Sequence, residues 1–126
     1  MYTILICDDD RDIVSALDIY LTSEGYQTIR AYNGQEAIRA AETHQIHLIL
    51  MDVMMPVLDG LGATRAIRAM DLPDASAVPI FAMTANAFPE DMALSRHAGM
   101  NEHLSKPLRE NELLKTIRRY VKSRSC

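Results

Sequence analysis

Cysteine is scarce: the chain has two, Cys7 inside an apolar run and Cys126 at the last position. Cysteines so placed make no disulfide framework and point to a reducing compartment, so a cytoplasmic location is expected. Positive charge is also in deficit, with 13 Lys and Arg against 17 Asp and Glu for a formal net charge of -4. A sequence-independent grip on nucleic acid needs an excess of cations to displace phosphate counterions, so no direct nucleic-acid partner is expected beyond what a local basic patch would allow. Apolar runs are short, and none approaches the roughly 20 residues of a membrane-spanning helix, so no membrane insertion is expected. Met1-Tyr2-Thr3 leads straight into an apolar segment without a basic leader or cleavage site, which argues against a secretion signal. The four histidines, His44, His47, His97 and His103, show no metal-ligand spacing and read as surface or internally satisfied side chains. Glycine and proline number five each and no low-complexity tract or repeat occurs, which excludes a fibrous or disordered chain.

What is present suits one compact unit. A length of 126 residues, 48% of them apolar, allows a core without disulfides, so residues 1–126 are expected to form a single domain. Short apolar runs alternate five times with segments of helical period, the pattern of an α/β domain built on a parallel sheet. Strands are expected at Thr3–Cys7, Gln27–Ala31, His47–Met51, Pro79–Met83 and Glu102–Ser105. The first, third and fourth are nearly continuous in apolar residues, as strands covered on both faces are, and belong at the centre. A first helix carries Ile13, Leu17, Tyr20 and Leu21 and stops at Gly25; a second opens near Gly34 with Ala37, Ile38 and Ala41. Asp59 caps a third with Ala63, Ile67 and Met70, and a fourth runs from near Pro89 to Gly99 with the weakest apolar stripe. The fifth has the strongest, through Leu113, Leu114, Ile117, Tyr120 and Val121, while Asp71 to Val78 reads as a surface loop. Right-handed crossovers then predict a doubly wound five-stranded parallel sheet, for which the flavodoxin-like order 2-1-3-4-5 is the common solution and places the crevice between strands one and three.

All strand C-termini share one rim in such a sheet, and polar residues gather there: Asp8, Asp9 and Asp10 after the first strand, Asp52 after the third, Thr84 after the fourth and Lys106 after the fifth. Carboxylates crowded from neighbouring strands repel one another, which raises at least one pKa unless a cation is bound. Magnesium suits the site because it takes oxygen ligands and uses one or two carboxylates beside phosphate oxygens. With a metal present Asp52 can attack phosphorus, Lys106 can neutralise phosphate charge, and Thr84 can donate its hydroxyl to a phosphate oxygen.

Four segments carry a family resemblance: Ile4-Leu5-Ile6-Cys7-Asp8-Asp9, Met51-Asp52-Val53-Met54-Met55-Pro56 with Asp59-Gly60, Met83-Thr84-Ala85-Asn86-Ala87, and Leu104-Ser105-Lys106-Pro107-Leu108. With these motifs in this order the chain resembles a response regulator receiver domain along essentially its whole length. The resemblance implies that Asp52 is the phosphoacceptor, Asp9 a direct Mg2+ ligand, Asp8 a ligand through water, and the backbone carbonyl of Met54 a further ligand, with Mn2+ able to substitute. It implies that Thr84 and Lys106 contact the phosphoryl group, and that a histidine kinase or histidine phosphotransfer protein supplies it. The domain would promote its own phosphorylation and dephosphorylation without turning over other substrates, and would signal to a downstream effector protein or domain. The motif forms are similar to receivers attached to hybrid sensor kinases. One position departs from the pattern: His103 stands where many members carry the Tyr or Phe that moves with Thr84, so the aromatic switch of the family does not carry over as such, and the pair expected to move is Thr84 and His103, a side chain whose charge changes near neutral pH. Met54 and Asn86 occupy the positions that influence hydrolysis in the family, and slow to moderate dephosphorylation is expected.

Each residue has a plainer reading alone: Asp10 as a helix cap, Asp52 as a turn residue, Lys106 as a solvated lysine, Thr84 as a cap, the methionines as core filler. Only the joint pattern favours chemistry. A flavin-type binder sharing the fold is disfavoured because Asp8-Asp9-Asp10 would repel a phosphate. An aspartate-dependent phosphatase would want a second acid where Met54 stands. A receiver-shaped interaction module that works without phosphorylation is the remaining alternative.

Overall fold

Three segments carry the core, because Thr3–Cys7 (β1), Leu48–Asp52 (β3) and Ile80–Thr84 (β4) are buried at every position. Gln27–Ala31 (β2) and Glu102–Ser105 (β5) are more open and form the edges. In this computed structural model, which describes residues 2–53, 55, 58–70, 77–84, 89–106 and 108–124, the five strands form one parallel sheet in the order β2-β1-β3-β4-β5. The register pairs Cys7 with Ala31 and Met51, Asp52 with Met83, and Thr84 with Ser105.

Alternation along the central strands divides the core. Ile4, Ile6, Leu48, Leu50, Phe81 and Met83 face Val14, Leu17, Leu21, Leu113 and Ile117, which belong to helices α1 (Arg11–Ser23) and α5 (Glu110–Arg124). Leu5, Cys7, Ile49, Met51, Ile80 and Ala82 face Ala37, Ala40, Ala63 and Ile67 of α2 (Gly34–Thr43) and α3 (Gly60–Arg68). Helix α4 (Pro89–Ala98) packs on α3. With helices on both faces, the doubly wound architecture read from the sequence is the one observed.

Helix starts follow local chemistry. Asp10 caps α1 by accepting from the N–H groups of Asp12 and Ile13 at 3.0 and 3.4 Å, and Asp59 caps α3 by accepting from Gly62 N at 2.7 Å. At α2 a reciprocal pair escaped the sequence reading: Asn33 Oδ1 accepts from Glu36 N, and Glu36 Oε1 accepts from Tyr32 N. Gly25 and Gly99 end α1 and α4 at φ 93° and 109°.

Two strand boundaries differ from expectation, since β3 and β4 each lie one residue later. Pro79 has no N–H to give, and its carbonyl accepts from Ile49 N at 2.9 Å, while the ladder runs on through Asp52 and Thr84. Asp52 and Thr84 are therefore the last residues of their strands rather than the first residues of loops, and the sheet itself orients them. Of the expected surface loop, residues 71–76 lie outside the described residues.

A half-buried polar tie at the opposite end of the sheet had no sequence signal. Arg68 donates to Gly99 O through Nε and Nη2 at 3.0 and 2.7 Å, to Val78 O through Nη1 at 2.5 Å, and to Asn101 Oδ1 at 2.8 Å. Asn101 Oδ1 also accepts from Ile80 N at 2.9 Å, so one side chain joins α3, the start of β4 and the α4–β5 turn. Burial holds the Arg68 pKa below the ordinary arginine value.

Candidate functional site

The polar rim forms where β1, β3, β4 and β5 end. Asp8 continues the β1 ladder by one residue, its N–H donating to Ala31 O at 3.1 Å, and its Oδ1 then accepts from Asp10 N at 2.9 Å. That turn leaves Asp8 fully buried and Asp9 exposed, while Asp52 is 4% exposed. One carboxylate oxygen from each of Asp8, Asp9 and Asp52 lies within 4.8 Å of the others.

Lys106 completes the cluster from the far strand. Its N–H donates to Thr84 O at 2.8 Å, which extends the β4–β5 ladder past Ser105. Its Nζ lies 2.8 Å from Asp8 Oδ2 and 3.4 Å from Asp52 Oδ1. Burial alone would lower the ammonium pKa, but the hydrogen bond to Asp8 and the charges of Asp52 and Asp8 outweigh it and hold Lys106 above the ordinary lysine value. The cation that crowded carboxylates demand is thus supplied in part by the chain itself. Three carboxylates against one ammonium still leave an excess of negative charge, and the donor set is all oxygen, two groups buried and one open to solvent. A hard divalent cation fits such a set.

Gly60 supports the acceptor from behind. A Cβ there would lie 2.2 Å from Asp52 O, and Gly60 N donates to Val53 O at 3.0 Å, so α3 begins in direct contact with the acceptor backbone. Leu58, in the same loop, fills a notch between Gly34 and Gly62. The sequence signal, Asp59-Gly60, was legible as a helix start and as part of a family motif, but not as a contact with the acceptor backbone. Met55 is buried beside Cys7, Sδ to Sγ 3.6 Å, and burial followed by the charge of Asp8 and Asp52 pushes the Cys7 thiol far above the ordinary cysteine range.

The expected residues do not all meet. Asp8, Asp9, Asp52 and Lys106 converge, and Thr84 is buried next to them at the end of β4. His103 sits earlier, paired in register with Ala82, on the wall of a cavity of about 110 Å3 with Ser95, Arg96 and Met100 of the α4 region. Met54, Pro56, Asn86 and Pro107 lie outside the described residues.

The response regulator receiver domain family matches residues 4–118. Over 118 residues the chain is 35% identical to the CAI-1 autoinducer sensor kinase/phosphatase CqsS of Vibrio cholerae, covering 94% of this chain and 17% of that protein. It is 32% identical over 121 residues to the transcriptional regulatory protein PrrA of Mycobacterium bovis, covering 96% of this chain and 50% of that one. The chain therefore spans half or less of the length of these relatives. Among solved structures, the receiver domain of the sensor histidine kinase PA1611 from Pseudomonas aeruginosa superposes with a TM-score of 0.88 at 38% identity, over 96% of this chain and 98% of that one. That structure has a magnesium ion coordinated in its active site cleft. Sequence motifs, sheet order and rim geometry agree with these matches, and the chain belongs to the response regulator receiver domains of two-component signalling.

Proposed function

We propose that this receiver domain takes a phosphoryl group onto a carboxylate oxygen of Asp52 from a phosphohistidine on a histidine kinase or histidine phosphotransfer protein. The observation that carries this reading is the gathering of Asp8, Asp9 and Asp52 within 4.8 Å, with the Lys106 ammonium at 2.8 and 3.4 Å from two of them. Asp8, Asp9, Asp52 and the Met54 carbonyl would hold Mg2+, or Mn2+ in its place. When bound, the ion supplies positive charge that lowers repulsion between carboxylates and phosphoryl oxygens.

In the transfer, an Asp52 oxygen forms the new bond to phosphorus as the phosphorus–nitrogen bond breaks, and the imidazole leaves with the electron pair and takes a proton from solvent. Asp52 enters held by its strand pairing, so little orientation remains to be found. Lys106 then exchanges its contact with the Asp52 carboxylate for phosphoryl oxygens, and Thr84 donates its hydroxyl to another. These contacts exist only in the modified state and so bias the surface around α4 and β5, where His103 takes the place of the mobile aromatic ring. Receiver domains are signalling switches rather than turnover enzymes, and output from this one runs through an effector protein or domain. The sensor kinase relatives support a hybrid-kinase origin.

Intact mass after incubation with Mg2+ and a small acyl phosphate tests the reading. One added phosphoryl group on the wild type and none on Asp52→Asn are expected. Failure to take phosphate from both a small donor and a phosphohistidine protein would overturn it in favour of an interaction module that works without phosphorylation.

A further inference from the structure

Arg11 stands two residues past Asp9, at the first position of α1, with Asp9, Asp10 and Asp12 around it in sequence. An exposed arginine in that company would ordinarily pair with a carboxylate. Among the described residues Arg11 makes no ion pair; its guanidinium carbon lies 4.1 Å over the ring of Tyr32 instead.

That ring sits on an anchored stretch of backbone. Tyr32 follows Ala31, whose carbonyl accepts from Asp8 N at 3.1 Å, and the Tyr32 N–H donates to Glu36 Oε1 at 3.1 Å. Arg30, two residues earlier, is gripped by Asp18 through Nε at 2.7 Å. A guanidinium stacked on a fixed ring keeps its charge and its N–H edges available.

Sheet order gives the placement meaning. Tyr32 follows β2 and Lys106 follows β5, with Asp8 and Asp9 after β1 and Asp52 ending β3 between them. Two cations thus flank the carboxylates from opposite sides of the rim. Lys106 touches them, while Arg11 stays beyond ion-pair distance.

We propose that Arg11, held by Tyr32, sets the charge balance of the phosphoacceptor site, drawing anionic phosphoryl donors toward Asp52 while opposing the divalent cation. The donor half of this inference rests on the phosphoryl transfer proposed above; the cation half rests on the acidic cluster of Asp8, Asp9 and Asp52 alone. For charges about 10 Å apart in water, Coulomb's law gives about a two-fold effect per unit charge and about four-fold for a doubly charged species, which sets the scale for a cation outside contact distance, and salt screens both.

The two effects have opposite signs, which a packing role cannot imitate. Calorimetric titration of Mg2+ into wild type, Arg11→Gln and Tyr32→Leu is paired with phosphorylation kinetics using acetyl phosphate, a dianion at neutral pH, at saturating Mg2+. In low salt Arg11→Gln should bind Mg2+ about two- to four-fold more tightly and react with acetyl phosphate about two- to four-fold more slowly. Tyr32→Leu should shift both in the same directions by less, Arg11→Lys should restore both, and half-molar salt should abolish the differences. Affinity and rate falling together, or neither changing, would overturn the proposal. If the wild type takes no phosphate, the function proposed above fails, and the Mg2+ titration alone decides the role of Arg11.

Discussion

Gly60→Ala offers the sharpest steric test of how the acceptor is held. A Cβ at this position would lie 2.2 Å from Asp52 O and 2.9 Å from both Asp52 C and Val53 Cα, where ordinary contact begins at 3.4 Å. Something must retreat by about 1.2 Å, the difference between the two distances. Helix α3 cannot easily do so, because Ala63 and Ile67 are fully buried, Asp59 caps its start, and Arg68 ties its end to β4 and the α4–β5 turn. The strain therefore falls largely on the backbone of Asp52 and Val53. Overpacking of this size costs about 1–3 kcal/mol of stability. A shift of about 1 Å in a reacting group costs on the order of 100-fold in rate, so phosphorylation should slow by about that factor while most of the fold survives. The assay is the time course of phosphoryl uptake from a small acyl phosphate by intact mass, beside urea unfolding of the same protein. A variant with wild-type rate and wild-type stability would show that Gly60 does not position Asp52.

Two further perturbations probe the frame. Asp18 accepts from Thr22, Thr28 and Arg30, and the hydrogen bond from Thr28 leads in holding its pKa below the ordinary aspartate value against the opposing pull of burial. A depressed carboxylate stabilises the fold above its unfolded pKa and loses that contribution as pH falls through the folded value. Asp18→Asn should therefore be less stable than wild type at neutral pH, by at most about 1 kcal/mol because the site is partly solvated, and the gap should close in acid; a gap independent of pH in urea titrations would refute this. Arg68→Met strips donors from Gly99 O, Val78 O and Asn101 Oδ1 and should cost about 2–4 kcal/mol, with amide exchange rising at Ile80 and Asn101; unchanged exchange there would refute the tie.

Sequence alone determined the architecture and most of the rim. Burial on two faces demands unbroken apolar strands, helices demand a period near 3.6, and both signals are local enough to be read from β1, β3, β4 and α5 directly. Because parallel strands joined by helices end on one edge, the order of Asp8, Asp9, Asp52, Thr84 and Lys106 along the chain was enough to bring them to one place. Tertiary structure decided what depends on distance between remote segments. It made Asp52 and Thr84 the last rungs of their strands, gave the Lys106 ammonium two carboxylates to share, and set Gly60 against the Asp52 carbonyl. It also turned Arg11 from its acidic neighbours to Tyr32 and set Arg68 against two further segments, the start of β4 and the α4–β5 turn. Side-chain direction and close backbone approach are settled by which partners the fold brings within a few ångströms, and hydrophobic periodicity carries no record of those partners.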